Sequence, residues 1–197
     1  MSALRVLYKD EDLLVIDKEA GRISEGDPSS LEHEVRAQFD DRARALHRLD
    51  RVTTGVMAFS LRRVHHAVFV ELWQKRRVTK VYWAWVEGVW PERLSSLAGV
   101  DLEGRPMQTC VKLVERQAGR TLLELSPATG RRHQLRLQCS REGSPILGDV
   151  RYGALPVPAL GESIALHARL LVFVHPLSNE KLELEAPLPA SWDLFKV

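Results

Sequence analysis

Strand-type runs follow one another closely along this chain, with only three stretches of helical periodicity among them, and that pattern limits the folds open to it. Leu7-Tyr8-Lys9 and Leu13-Leu14-Val15-Ile16 flank the acidic turn Asp10-Glu11-Asp12 as strand, turn, strand. Val56-Met57-Ala58-Phe59 is an apolar run of the length of a buried strand. Lys80 to Gly88 is rich in aromatic and β-branched residues; a strand there puts Lys80, Tyr82, Ala84 and Val86 on one face and Val81, Trp83 and Trp85 on the other. Val111 to Val114 and Thr121 to Leu125 are strand-like on either side of an Ala118-Gly119 turn, and Ala168 to Val174 and Leu182 to Glu185 close the series. Parallel pairs need a long crossover, usually a helix, between strands. Here helices interrupt the strands rather than alternate with them. The expected class is α+β, a mixed, largely antiparallel sheet flanked by helices. With 197 residues, 45% of them hydrophobic, the chain can bury one good core, so residues 1–197 are expected to form a single domain.

The helical stretches carry their own start signals. Pro28-Ser29-Ser30 precedes Leu31, Val35 and Phe39, spaced along one helical face. Ser60 is placed to cap a longer helix with an apolar stripe of Leu61, Val64, Val68 and Leu72, running out into Lys75-Arg76-Arg77. Basic residues at a helix C-terminus complement its dipole, so those three need no ligand; Arg62 and Arg63 near the start gain nothing from it and are candidates for phosphate contact. A third helix is expected over Thr129 to Cys139, with Gly143 past its end. Arg131 then lies near its start, unfavourable for a cation unless an anion is brought to it; Asp50 is a candidate.

A formal net charge of +2 hides an uneven distribution. From Arg42 to Lys80 ten Lys and Arg face only Asp50 and Glu71, giving +8; Pro127 to Arg151 carries +3, leaving −9 elsewhere. A basic face on an acidic body suits a polyanion partner, although solvated helix faces give the same count. No apolar leader or membrane-length run is present, so a cytoplasmic protein is expected. Cys110 and Cys139 are too few for a disulfide framework and too far apart for a redox or zinc pair; both are expected as buried thiols. Glycines are not clustered as a phosphate loop or dinucleotide fingerprint requires. The seven histidines lack metal-ligand spacing, and no paired-cysteine deaminase signature occurs. No metal and no cofactor are expected.

The remaining concentration of chemistry is His47-Arg48-Leu49-Asp50-Arg51-Val52-Thr53-Thr54-Gly55, a single carboxylate among cations at the mouth of the strand at Val56. An aspartate making ordinary turn hydrogen bonds accounts for the residue types equally well. Glycoside hydrolysis needs a facing pair of carboxylates, and the stretch supplies one. This stretch, Lys80-Val81-Tyr82, and Thr129-Gly130-Arg131-Arg132-His133-Gln134-Leu135-Arg136 together resemble the RluA-type RNA pseudouridine synthases. Gly143-Ser144-Pro145-Ile146-Leu147-Gly148-Asp149, Tyr152-Gly153 and Leu166-His167-Ala168 continue the resemblance in the family's order from near residue 8 to near residue 189. Thr54 stands where the family usually has serine, and Glu19 where proline is common.

The resemblance implies a pseudouridine synthase-like catalytic domain, with no preceding RNA-binding domain of the S4 type, that isomerises particular uridines in structured ribosomal or transfer RNA. By the same resemblance Asp50 is the catalytic aspartate, Tyr82 stacks on the uracil, and Arg131 pairs with Asp50. Arg48 enters the RNA where the target base leaves its stack, Leu135 walls the base pocket, and His133 joins Arg62 and Arg63 as substrate-binding candidates. A covalent bond from Asp50 to C1′ and a proton-abstracting, glycal route are both compatible with these residues. The implied protein is a monomer partnered by RNA, not by a membrane. Two other readings are an RNA-binding or RNA-chaperone protein on the same fold with little catalysis, which loss of Asp50, Tyr82 or Arg131 would mark, and a nucleoside hydrolase-like enzyme releasing free uracil.

Overall fold

The acidic turn after Tyr8 closes a hairpin without the usual glycine because Asp10 does the work with its side chain. Its Oδ1 accepts from the Asp12 and Leu13 amides, both at 2.7 Å. In the computed structural model, which describes residues 4–195, this turn joins β1 (Arg5–Lys9) and β2 (Leu13–Lys18). Ten strands and three short α-helices among the described residues make the class α+β. No helix among them is long and apolar enough to cross a membrane.

The described chain falls into two compact units. The first holds the chain up to Thr79 together with Ala168–Leu188. In it β2 pairs antiparallel with β1 and with β4 (Thr54–Ser60), and β3 (Arg44–Ala45) pairs antiparallel with β4. On the far side of β4 lies β9 (Leu166–Val174), whose antiparallel partner is β10 (Lys181–Glu185). All six residues of β2 and all seven of β4 are buried, as strands covered on both faces must be. Helix α1 (Leu31–Gln38) starts where expected, with Ser30 Oγ accepting from the His33 amide at 3.3 Å.

The second helix departs from the sequence expectation. Ser60 is the last residue of β4, paired with Leu13, and its hydroxyl lies 2.6 Å from His66 Nδ1. A 3-10 turn over Arg63–His65 precedes α2 (His66–Gln74), so the helix starts later and in a different phase. Val64 is 76% exposed and Val68 also faces solvent, while Phe69 and Leu72 supply the buried face. They pack into a cluster with Leu13, Val15, Val56 and Phe173. Burial of a side chain the size of Phe69 is worth about 2–3 kcal/mol.

The second unit comprises Lys80–His167 and the chain from Pro189. Its strands lie in the order β6 (Ser96–Val100), β7 (Pro106–Gln117), β8 (Arg120–Pro127), β5 (Thr79–Glu87), each antiparallel to the next. The Ala118-Gly119 turn joins β7 to β8 as expected, with Gly119 at φ 72°. Strand β7 is far longer than Val111–Val114, and the weakly patterned β6 was not legible. The alternation of β7 turns Cys110 outward, which corrects its expected burial; Cys139 is buried. The third helix is shorter than expected: α3 spans Gln134–Arg141, because His133 adopts a left-handed conformation at φ 55° that no helix can continue through. Arg131 therefore sits in a turn before the helix rather than in its first turn.

Candidate functional site

Asp50 opens a tight turn in which the Thr53 amide donates to its carbonyl at 3.0 Å, and β4 begins at the next residue. Its side chain is half-buried. The segment 18 to 24 holds this turn by its backbone at Leu49, Arg51 and Thr53. Ser24 Oγ donates to the Leu49 carbonyl at 2.7 Å and accepts from the Leu49 amide at 3.1 Å. The Gly21 amide donates to the Arg51 carbonyl at 2.8 Å, and Arg51 Nε returns a bond to the Gly21 carbonyl at 3.0 Å.

Beneath the turn lies Lys18, only 1% exposed. Its ammonium donates to the carbonyls of Glu19 at 3.0 Å, Arg51 at 3.2 Å and Thr53 at 2.8 Å, using all three protons on backbone acceptors. Burial pulls the Lys18 pKa down to about 7; the Asp50 carboxylate works in the opposite sense, and the Arg22 cation adds to the lowering. Arg22 is itself paired with the buried Glu34 of α1. Neither Lys18 nor Ser24 was singled out from sequence. The available signal was a lysine two residues after the apolar run Leu13 to Ile16, on the strand that the run begins.

The other basic candidates of this unit differ in how committed they are. Arg48 is exposed, with Nη1 3.6 Å from Glu25. Arg62 is held by Glu11 at 2.8 Å and by Asp12 at 3.8 Å, and His65 Nδ1 lies 2.7 Å from the same Asp12. Arg63 is exposed. The two adjacent arginines are thus unlike: one is balanced by carboxylates, the other faces solvent.

In the second unit Tyr82 stands half-buried on β5, opposite Leu125 of β8. Two residues earlier on the same face is Lys80, whose Nζ would be 3.9 Å from a Cβ built at Gly130. The loop carrying Arg131 is tied down by Gln134, a third residue that sequence reasoning passed over. Gln134 Oε1 accepts from the Arg131 amide at 3.1 Å and from Thr129 Oγ1 at 2.8 Å, while its Nε2 donates to the Gln108 carbonyl and to Thr109 Oγ1. Arg131 Nε donates to the Pro106 carbonyl at 3.3 Å. His133 lies beside Tyr152, and Leu135 is buried on α3. Arg136 Nε and Nη2 donate to the two oxygens of Asp149 at 2.7 and 2.8 Å.

Among the described residues no three His, Cys, Asp or Glu side chains are grouped as a metal site. The first unit offers one fixed carboxylate over a buried cation. The second offers an aromatic ring two residues from Lys80 on the same strand face, and an arginine on a loop tied down by Gln134.

Residues 12–141 match the family model described as RNA pseudouridylate synthase. The chain is 31% identical to "Ribosomal large subunit pseudouridine synthase C" of Vibrio cholerae over 94% of its own length and 66% of the relative's. With the protein of the same name from Escherichia coli strain K12 the identity is 34%, over 93% and 66%. With "Ribosomal large subunit pseudouridine synthase D" of Haemophilus ducreyi it is 30%, over 96% and 68%. The chain spans about two thirds of the length of the curated relatives it matches. Among solved structures, "Human RNA Pseudouridylate Synthase Domain Containing 4" matches at a TM-score of 0.78 and 25% identity, covering 96% of this chain and 92% of that one. "Human RNA Pseudouridylate Synthase Domain Containing 1" matches at 0.77 and 27%, covering 98% and 86%.

Proposed function

Because the chain belongs to the RNA pseudouridylate synthase family, we propose that it isomerises uridine to pseudouridine in structured RNA, with Asp50 acting at the ribose of a flipped-out nucleotide. The observation that carries this reading is the Asp50 turn itself. A carboxylate whose backbone is bonded at Leu49, Arg51 and Thr53 to one loop and one buried lysine is held as an attacking group must be held. Removing a base from its stack costs a few kcal/mol, which stacking on Tyr82 would offset.

The reaction is redox-neutral. The N1 to C1′ bond breaks, the retained uracil turns, C5 bonds to C1′, the proton on C5 leaves, and N1 takes up a proton, so the composition is unchanged. Asp50 serves either as the nucleophile that takes C1′ while the base turns or as the base that removes the C2′ proton. Tyr82 as the stacking ring, Arg131 as the guanidinium partner of the carboxylate, Arg48 as the residue entering the RNA, and Leu135 and His133 as pocket residues rest on the family resemblance. The relatives are named for the large ribosomal subunit, so large-subunit ribosomal RNA is the proposed substrate, with transfer RNA as the comparison. The proposed setting is the cytoplasm, with residues 1–197 acting as one catalytic domain and as a monomer.

Tritium release from large-subunit ribosomal RNA labelled at uridine C5 tests this. The wild-type protein is expected to release it and Asp50→Asn to be slower by at least about 10³-fold. Wild-type turnover by Asp50→Asn would remove the assigned role. Free uracil in the products would mean hydrolysis, and binding without any release would mean an RNA-binding protein on this fold.

A further inference from the structure

The turn that presents Arg131 contains a backbone conformation that its own sequence does not favour. The Gln134 amide donates to the Arg131 carbonyl at 3.1 Å, closing a turn with Arg132 and His133 at its centre, and His133 sits there at φ 55°. A side chain bearing a Cβ resists that region, so surrounding contacts must hold it. His133 makes no side-chain hydrogen bond to the helix it precedes. Its Nδ1 is instead 2.9 Å from Tyr152 Oη, and the two rings meet edge to face with centroids 5.7 Å apart.

Tyr152 is a fixed point. The Arg136 guanidinium lies over its ring, 5.0 Å from the centroid, and is gripped at both ends by the buried Asp149. The Tyr152 amide donates to the Asp149 carbonyl at 2.9 Å within a 3-10 turn, and Ser140 Oγ donates to the Tyr152 carbonyl at 2.7 Å. Backbone and ring are therefore located independently of His133.

We propose that Tyr152 is a positioning residue: its hydroxyl keeps His133 in the left-handed conformation that closes the turn, and so fixes Arg131 for the isomerisation. This rests on the reading of the chain as a pseudouridine synthase. Without the hydroxyl, His133 relaxes toward ordinary φ, the bond from Gln134 to Arg131 opens, and the guanidinium loses its place. A glycine at 133 adopts the left-handed region unaided, so the hydroxyl matters less in that background.

The test is a double-mutant cycle of Tyr152→Phe and His133→Gly, read in two ways. With unmodified large-subunit ribosomal RNA transcript, Tyr152→Phe is expected to lower kcat about tenfold with KM changed less than about twofold, and to cost less than about twofold when added to His133→Gly. By amide hydrogen exchange, protection at Gln134 is expected to fall about tenfold in Tyr152→Phe but not on adding it to His133→Gly. Equal effects of Tyr152→Phe in both backgrounds, or a change confined to KM, would overturn the proposal. If the wild-type protein formed no pseudouridine, the functional reading would fall on its own. Unchanged Gln134 protection in Tyr152→Phe would overturn the positioning role whatever the activity.

Discussion

Lys18 has an environment unlike that of any surface lysine. Its side chain is enclosed, its three protons are spent on carbonyls, and its pKa of about 7 compares with an ordinary 10.5. Between those values the unfolded chain holds a proton that the folded one has shed, so this group makes folding more favourable as pH rises above about 7. The Cys139 thiol, pushed up to about 12 from 9.0 by burial, acts in the opposite direction above about pH 9. The useful window is therefore pH 7 to 8.5, over which Lys18 should add about 1 to 2 kcal/mol. Urea unfolding of the wild type is expected to show this rise and Lys18→Met to lack it; parallel pH dependences in both proteins would dismiss Lys18 as its source. Asp50 drew attention in the sequence because it stands in a motif of neighbours. Lys18 did not, because two of its partners lie 33 and 35 residues away and a lysine beside Asp17 reads locally as exposed.

Among elements, β4 is the most constrained, and Gly55 shows why. At φ 112° it is already outside the range of L side chains, and a Cβ there would fall 2.1 Å from the Ala168 carbonyl oxygen on the adjoining β9. That atom is backbone and cannot swing aside. Gly55→Ala is expected to cost about 3 kcal/mol or more, whereas Gly119→Ala, with φ 72° and open space around it, should cost about 1 kcal/mol. Denaturant midpoints for the two variants give the comparison, and similar losses would show that the close approach to Ala168 is immaterial. Strand and hairpin positions were readable because alternation and turn residues are local signals. The start of α2 was misplaced because pairing of Ser60 with Leu13 extends β4 through a good capping residue. The start of α3 was misplaced because nothing local marks His133 as left-handed.

For the whole molecule the basic stretch was visible in the sequence, but not which of its charges are already balanced. Arg62 is matched by Glu11 and Asp12, and Lys75 by Glu71, while Arg63 and Arg76 carry no such pairing among the described residues. If this stretch meets phosphates, Arg63→Gln and Arg76→Gln should each reduce the slope of log binding constant against log salt by about 0.7 to 0.9. Arg62→Gln and Lys75→Gln should change it less, since those cations release fewer counterions. Fluorescence titrations of labelled ribosomal RNA at several salt concentrations decide this, and equal slope changes for all four variants would mean that the ion pairs do not persist in solution.

The contact of Gly55 with Ala168 also bears on the order in which the protein is made. The Asp50 turn and β4 are synthesised before the second unit, yet the strand that lies against β4 is 113 positions further along and is followed by β10, its own partner. The second unit is encoded almost wholly in between. A nascent chain therefore carries β4 with the edge beside Gly55 uncovered until β9 has been translated, and the first unit closes only across a long loop, the kind of closure that slows folding. The Asp50 turn is thus synthesised well before the strand that completes the sheet beside it.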